Sequence, residues 1–170
     1  DSSSGVLAFT TAPNYESPTD SDSDNQYTVI VTVTDNTSLA VTQTITVTVT
    51  DNNEAPVITS NGGGSTVSIS YTENSTSTVT TVTSTDVDAS STATYSKSGM
   101  DADDFSINSS SGVLTFSSSP NFETPTDSNG DNVYIVIVTV TDNGSLTDTQ
   151  TITVTVTDVN DAPVITSNSG

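Results

Sequence analysis

The chain has 170 residues, with 21 acidic side chains against a single base, Lys97, and a net charge of −20. It has no His, Cys or Trp, which removes the imidazole base, the thiol nucleophile, the usual zinc donors and any disulfide framework. With one Lys and no Arg, nothing can follow a phosphate backbone, so nucleic acid is excluded as a partner.

Ser (29) and Thr (35) dominate the composition while hydrophobic residues make up only 31%, a balance that by itself suits a disordered chain. The order of the residues argues otherwise. Val and Ile alternate strictly with Thr, so one face of an extended strand is apolar and the other neutral and hydroxylated. Taken in chain order, Tyr27–Thr34 and Thr42–Thr50 form the first expected hairpin, around Asp35-Asn36-Thr37-Ser38. Expected strands then follow at Val57–Thr59, Val67–Tyr71, Thr78–Thr85, Thr92–Ser96, Phe105–Ile107 and Val113–Phe116. A second hairpin, Tyr134–Thr141 with Thr149–Thr157, turns at Asp142-Asn143-Gly144-Ser145. Helix is confined to at most one short turn in Gly99–Asp104. No apolar run reaches membrane-spanning length and no signal peptide is recognisable, so membrane insertion is not expected.

The chain repeats itself. Residues 2–63 align without gaps on residues 109–170 at an offset of 107 (Gly5 on Gly112), with 46 identities in 62 positions. A period of this length suits whole β-domains in tandem rather than solenoid turns. The expected organisation is the C-terminal half of one repeat at 1–54, a complete repeat at 55–161 and the start of the next at 162–170. About seven strands per 107-residue unit point to an all-β, immunoglobulin-like seven-stranded β-sandwich. Residues 1–54 then need completing, either by more of the same protein or by strands from another chain.

Because Thr already keeps the outer faces soluble, the placement of the acids is informative. They concentrate in loops: Asp51-Asn52-Asn53-Glu54-Ala55-Pro56 and its copy Asp158-Val159-Asn160-Asp161-Ala162-Pro163, Glu73-Asn74, Asp86-Val87-Asp88, and Asn14-Tyr15-Glu16 with its copy Asn121-Phe122-Glu123. A further group, Asp20-Ser21-Asp22-Ser23-Asp24, reappears as Asp127-Ser128-Asn129-Gly130-Asp131. It reads either as a local calcium loop or as a solvated acidic turn, and it lacks the twelfth-position Glu of an EF-hand. Carboxylates two apart at a strand end share a side, and several brought together without Arg call for a hard, oxygen-seeking cation.

The order Glu-Asn, Asp-x-Asp, a Glu before the late strands, Thr-Asp-Asn-Gly and Asp-x-Asn-Asp-x-Pro resembles tandem cadherin repeats. It is most similar to the bacterial cadherin-like repeats of large surface adhesins and repeat-toxin-type exoproteins. The resemblance implies a cadherin-like sandwich with Ca2+ at the junctions. Carried over by position, Glu16, Asp51, Asn53 and Glu54, with Asp86, Asp88 and Asp142 of the next repeat, would serve the first junction. Glu73, Glu123, Asp158, Asn160 and Asp161 would serve the second. Asn-Tyr-Glu and Asn-Phe-Glu stand where animal members carry Leu-Asp-Arg-Glu, so fewer ions per junction are expected. Without Trp, the strand-swap adhesion of animal members is not supported.

The expected function is that of a structural extender or assembly repeat of an extracellular surface protein. Its partners would be neighbouring repeats of the same chain and identical chains in a filament. The alternatives are a carbohydrate- or cell-surface-binding adhesion module and a filament subunit completed by strand exchange. Carboxylate pairs also hydrolyse glycosides, but a site recurring at every seam does not suit an active centre, and no enzyme is expected.

Overall fold

The computed structural model describes residues 4–167. Residues 168–170, part of the expected opening of a further repeat, lie outside the described residues, and residues 162–167 form no strand. The chain divides into two compact units, one ending at Asn53 and one starting at Glu54.

The first unit contains one hairpin, β1 (Gln26–Thr34) with β2 (Ala40–Thr48), paired antiparallel from Gln26↔Thr48 to Thr34↔Ala40. Pairing starts two residues earlier than the expected Thr42 because Asp35 closes the turn. Its carboxylate accepts the amides of Thr37 (2.8 Å) and Leu39 (2.9 Å), while its own N–H donates to the Leu39 carbonyl.

The second unit is a two-layered sandwich. One layer comprises β4 (Thr66–Thr72), β7 (Thr94–Ser98), β10 (Val133–Thr141) and β11 (Thr147–Thr157), in the order β4-β11-β10-β7. Only β4 runs parallel to its neighbour, β11; the other pairs are antiparallel. The opposite layer contains β3 (Val57–Ile58) paired with β6 (Ser84–Thr85), and β5 (Thr80–Thr81) with β9 (Val113–Phe116) and β8 (Phe105–Ile107). The expected strand Thr78–Thr85 is thus two short pieces. At the break, Val82 N–H donates to the Gly112 carbonyl on one side, and the Thr83 carbonyl accepts from Thr59 and Ser60 on the other. That segment therefore joins β3 to β9 in a single layer. A 3-10 turn at Ser60–Gly62 separates β3 from β4, which lie in opposite layers, and with the break at Val82 the second unit has nine strands among its described residues, β3–β11, where about seven were expected.

Alternation does the packing. Tyr134, Val136, Val138 and Val140 of β10 and Ile152, Val154 and Val156 of β11 point inward and are fully buried, against Ile58, Val82, Phe105 and Leu114 of the other layer. The intervening residues, Thr along β11 and Ile135, Ile137, Thr139 and Thr141 along β10, lie on the outer face, and burial of the inward apolar set supplies the main stabilisation. The one expected helical turn forms a 3-10 turn at Ala102–Asp104. Its Ala102 carbonyl accepts from Lys97 Nζ at 2.6 Å.

Candidate metal centre

At one end of the sandwich Glu73 stands just past β4, and its backbone amide continues the ladder by donating to the Thr157 carbonyl. The side chain is only 2% exposed. Its two oxygens are held from different segments: Oε2 accepts the Phe122 amide (2.9 Å) and Oε1 the Val159 amide (2.7 Å). Glu73 therefore staples the β9–β10 connection and the segment after β11 to the end of β4. These backbone donors hold its carboxyl below the usual range.

The next residue after Phe122 and the one before Val159 are Glu123 and Asp158, so the staple draws their carboxylates in. Glu73, Glu123 and Asp158 each present an oxygen within 4.8 Å of the others. Asn160 and Asp161, the rest of this expected set, are exposed. The charge conflict registers on Glu123. A hydrogen bond from its own backbone amide lowers its pKa, but loss of hydration and repulsion from Glu73, Asp161 and Asp158 push it above the ordinary value. An all-oxygen, carboxylate-rich donor set of this kind fits calcium, which takes six to eight such ligands, and does not fit zinc.

The remaining expected ligands are described within their own units. In the first, Glu16 and Asp51 are exposed and offer oxygens within 4.8 Å of each other, and Asn53 is exposed. In the second, Glu54 and Asp88 offer oxygens equally close, and Asp88 Oδ2 accepts the Glu54 amide at 3.0 Å. The Asp86–Asp88 pair is not the continuation of a strand: β6 ends at Thr85. The chain bends instead, with Asp86 Oδ2 accepting Ser91 Oγ (2.6 Å) and Oδ1 accepting the Asp88 amide (3.1 Å). These donors, Ser91 first, lower the Asp86 pKa. Asp142 is buried and closes the β10–β11 turn, its Oδ1 accepting the Leu146 amide at 2.7 Å.

The further acidic loop differs between the copies. In the first unit Asp20, Asp22 and Asp24 converge within 4.8 Å, and the charge of Asp24 above all raises the pKa of Asp22. In the second, Asn129 replaces the middle acid and its amide donates to Asp131 Oδ2 at 2.9 Å. Other acids are structural, among them Asp101 at the start of the 3-10 turn. Asp101, also buried, accepts the Ser128 and Ile135 amides, and Asp148 accepts the Ile58 amide at 2.8 Å. Asp148 carries a signal in the repeat itself, since Val41 occupies that position in the first copy.

The fold is thus an all-β, two-layered sandwich in which β4 runs parallel to the last strand and carboxylates gather at one end. The cadherin domain profile matches residues 66–157, and the chain belongs to that family. Cadherin domains are non-enzymatic adhesion modules, and this chain is not an enzyme. Among solved structures it is similar to the protocadherin GammaB4 extracellular domain, at 27% identity and TM-score 0.60 over 85% of this chain and 23% of that one. The protocadherin Gamma B7 extracellular cadherin domains 1–4 align at 22% identity and TM-score 0.63 over 85% of this chain and 35% of that one. Drosophila N-cadherin EC1–4 aligns at 24% and 0.51 over 71% and 28% respectively. The chain thus spans about a quarter to a third of the length of these structures. No curated protein sequence matches it.

Proposed function

We propose that the chain is a structural repeat of an extracellular surface protein, an extender in which Ca2+ at the seams between consecutive repeats stiffens a rod or filament. In this reading residues 55–161 are one complete repeat, residues 1–54 the second half of its predecessor and residues 162–170 the opening of its successor. Glu16, Asp51, Asn53, Glu54, Asp86, Asp88 and Asp142 serve one seam, and Glu73, Glu123, Asp158, Asn160 and Asp161 the other. Bound calcium would supply positive charge shared by carboxylates of successive repeats, restricting their relative motion.

The observation that carries the reading is the convergence of Glu73, Glu123 and Asp158. Lys97, the chain's single base, is committed to the Ala102 carbonyl and neutralises none of them. A cation that binds the folded chain alone raises its stability by mass action, and extracellular calcium reaches the millimolar range in which such modules fill. The test combines calcium titration by calorimetry with thermal melts and small-angle scattering, with and without chelator. Calcium is expected to raise the melting temperature and lengthen the particle. Melts and scattering profiles indifferent to both calcium and chelator would refute the proposal.

A further inference from the structure

The acidic loop ahead of each hairpin folds alike in both copies. Asp20 Oδ2 accepts the Asp24 amide at 2.8 Å, and Asp127 Oδ2 the Asp131 amide at 2.9 Å. Asp24 Oδ1 and Asp131 Oδ1 each accept the amide two residues on, at 2.8 and 2.9 Å. Ser23 and Gly130 share a left-handed backbone at φ +59° and +71°, as do Asn25 and Asn132 at +63° and +64°. Within this common frame two adjacent residues differ. Asp22-Ser23 of the first copy stands as Asn129-Gly130 in the second.

An Asn-Gly step leaves the side-chain amide open to attack by the following backbone nitrogen, because glycine has no Cβ to obstruct the approach. The chain has three such steps, Asn61-Gly62, Asn129-Gly130 and Asn143-Gly144, and they are held differently. Asn61 is tied at both ends, its Nδ2 donating to the buried Gln150 Oε1 (2.9 Å) and its Oδ1 accepting Thr80 Oγ1 (3.0 Å). Asn143 Oδ1 accepts the Thr92 amide from another loop at 3.3 Å. Asn129 is exposed and bonds only within its own loop, its Nδ2 donating to Asp131 Oδ2 at 2.9 Å. Gly130 is exposed too, a Cβ there would meet nothing within 4 Å, and its N–H is held only by a 3.3 Å bond to the Asp127 carbonyl.

We propose that Asn129 is a deamidation site whose product reproduces, in the second copy, the charge pattern of the first. The Gly130 nitrogen bonds to Asn129 Cγ, the Cγ–Nδ2 bond breaks, and ammonia leaves with the Gly130 proton. Water then opens the cyclic imide, at Cγ to leave aspartate or at the backbone carbonyl to leave isoaspartate. The reaction consumes water alone and needs no oxidant or cofactor. Aspartate suits the loop, since Asp22 occupies the same position on the same backbone. Conversion removes the amide donor from Asp131 Oδ2 and sets a carboxylate between Asp127 and Asp131. The first copy already has that arrangement, with Asp20, Asp22 and Asp24 within 4.8 Å of one another.

The test incubates the whole chain at mildly alkaline pH, with and without urea, and reads its digests by mass spectrometry, with Asn129→Asp as the standard for the aspartate product. In the folded chain Asn129 should lose its amide ahead of Asn143, and at least about tenfold faster than Asn61, whose two side-chain hydrogen bonds must open first. Both aspartate and isoaspartate should appear at position 129. In urea the three steps should converge. Gly130→Ser, which installs the first copy's residue, should slow conversion at Asn129 and leave Asn61 and Asn143 unchanged. Asn129 keeping its amide while Asn61 or Asn143 loses one overturns the proposal. So does a ranking that persists in urea, or a Gly130→Ser chain that converts as fast.

Discussion

Gly112→Ala is the sharpest probe of how the two halves of a repeat close on each other. At φ +68° an L-residue sits in the left-handed region, which costs about 1–2 kcal/mol. The new methyl would also lie 2.0 Å from the Val82 carbonyl oxygen and 3.1 Å from its carbon. These are backbone atoms that cannot swing aside, so the strand must move, at about 1–3 kcal/mol for overpacking. That movement strains the Val82 N–H to Gly112 carbonyl bond, 2.9 Å long, which contributes about 0.5–1.5 kcal/mol. The expected loss is therefore about 3–6 kcal/mol, a large share of the 5–15 kcal/mol typical of a domain. Gly5→Ala incurs only the left-handed cost, since a Cβ there meets nothing within 4 Å. Urea unfolding followed by tyrosine fluorescence, with exchange resolving each unit, measures both. A Gly112→Ala cost under about 1 kcal/mol, or equal costs at the two glycines, would refute the close-approach argument.

Phe105→Ala removes a fully buried ring that touches Phe116 and Tyr134, and should cost about 3–5 kcal/mol in denaturant melts of the second unit. Glu123→Gln relieves repulsion from Glu73, Asp158 and Asp161, so it should raise the melting temperature in chelator but shrink the rise that calcium gives; a variant that keeps the full calcium response refutes a shared ion. The pH profile in chelator should have two limbs. Because the folded pKa of Glu123 is raised, lowering the pH through it relieves repulsion and stabilises the fold. Because that of Glu73 is depressed, its contribution holds above the unfolded carboxyl pKa and is lost as pH falls through the depressed one. Melts across the acid range should therefore rise and then fall, and the rising limb should vanish in Glu123→Gln.

The strands were legible because their signal is local. The β-branched run of β10 and the Thr alternation of β11, with Asp-Asn-Gly-Ser between them, suffice to locate the hairpin, and the repeat offset carries it over to β1 and β2. Long-range partners leave no such trace. The split of Thr78–Thr85 arises at Val82, whose amide is taken by Gly112 while Thr83 turns its carbonyl to Thr59. Asp86 and Asp88 had the spacing of a strand end, but the nearby Ser91 hydroxyl and the Asp88 amide offered closer donors than a continued ladder. Glu73, Glu123 and Asp158 could be named from family resemblance, yet the reason they meet, a staple formed by the Phe122 and Val159 amides, spans 49 and 86 residues.

The acids of this chain divide by what neutralises them. Asp35, Asp101 and Asp127 spend their oxygens on backbone amides of their own loops or of a neighbouring segment. Such acids complete the hydrogen bonding of turns and need no cation. Glu123 and Asp158 instead face other carboxylates in a chain that has one base to offer. Glu73 belongs to both sets: two amides hold it rigid, and from that position it presents an oxygen to the other two. It is thus a ligand already in place before any ion arrives, whereas Glu123 and Asp158 lie on exposed segments that an ion must order. Calcium should accordingly slow amide exchange around Glu123 and Asp158 far more than around Glu73, and uniform slowing at all three would mean that the cation acts on the sandwich as a whole rather than on its acidic end.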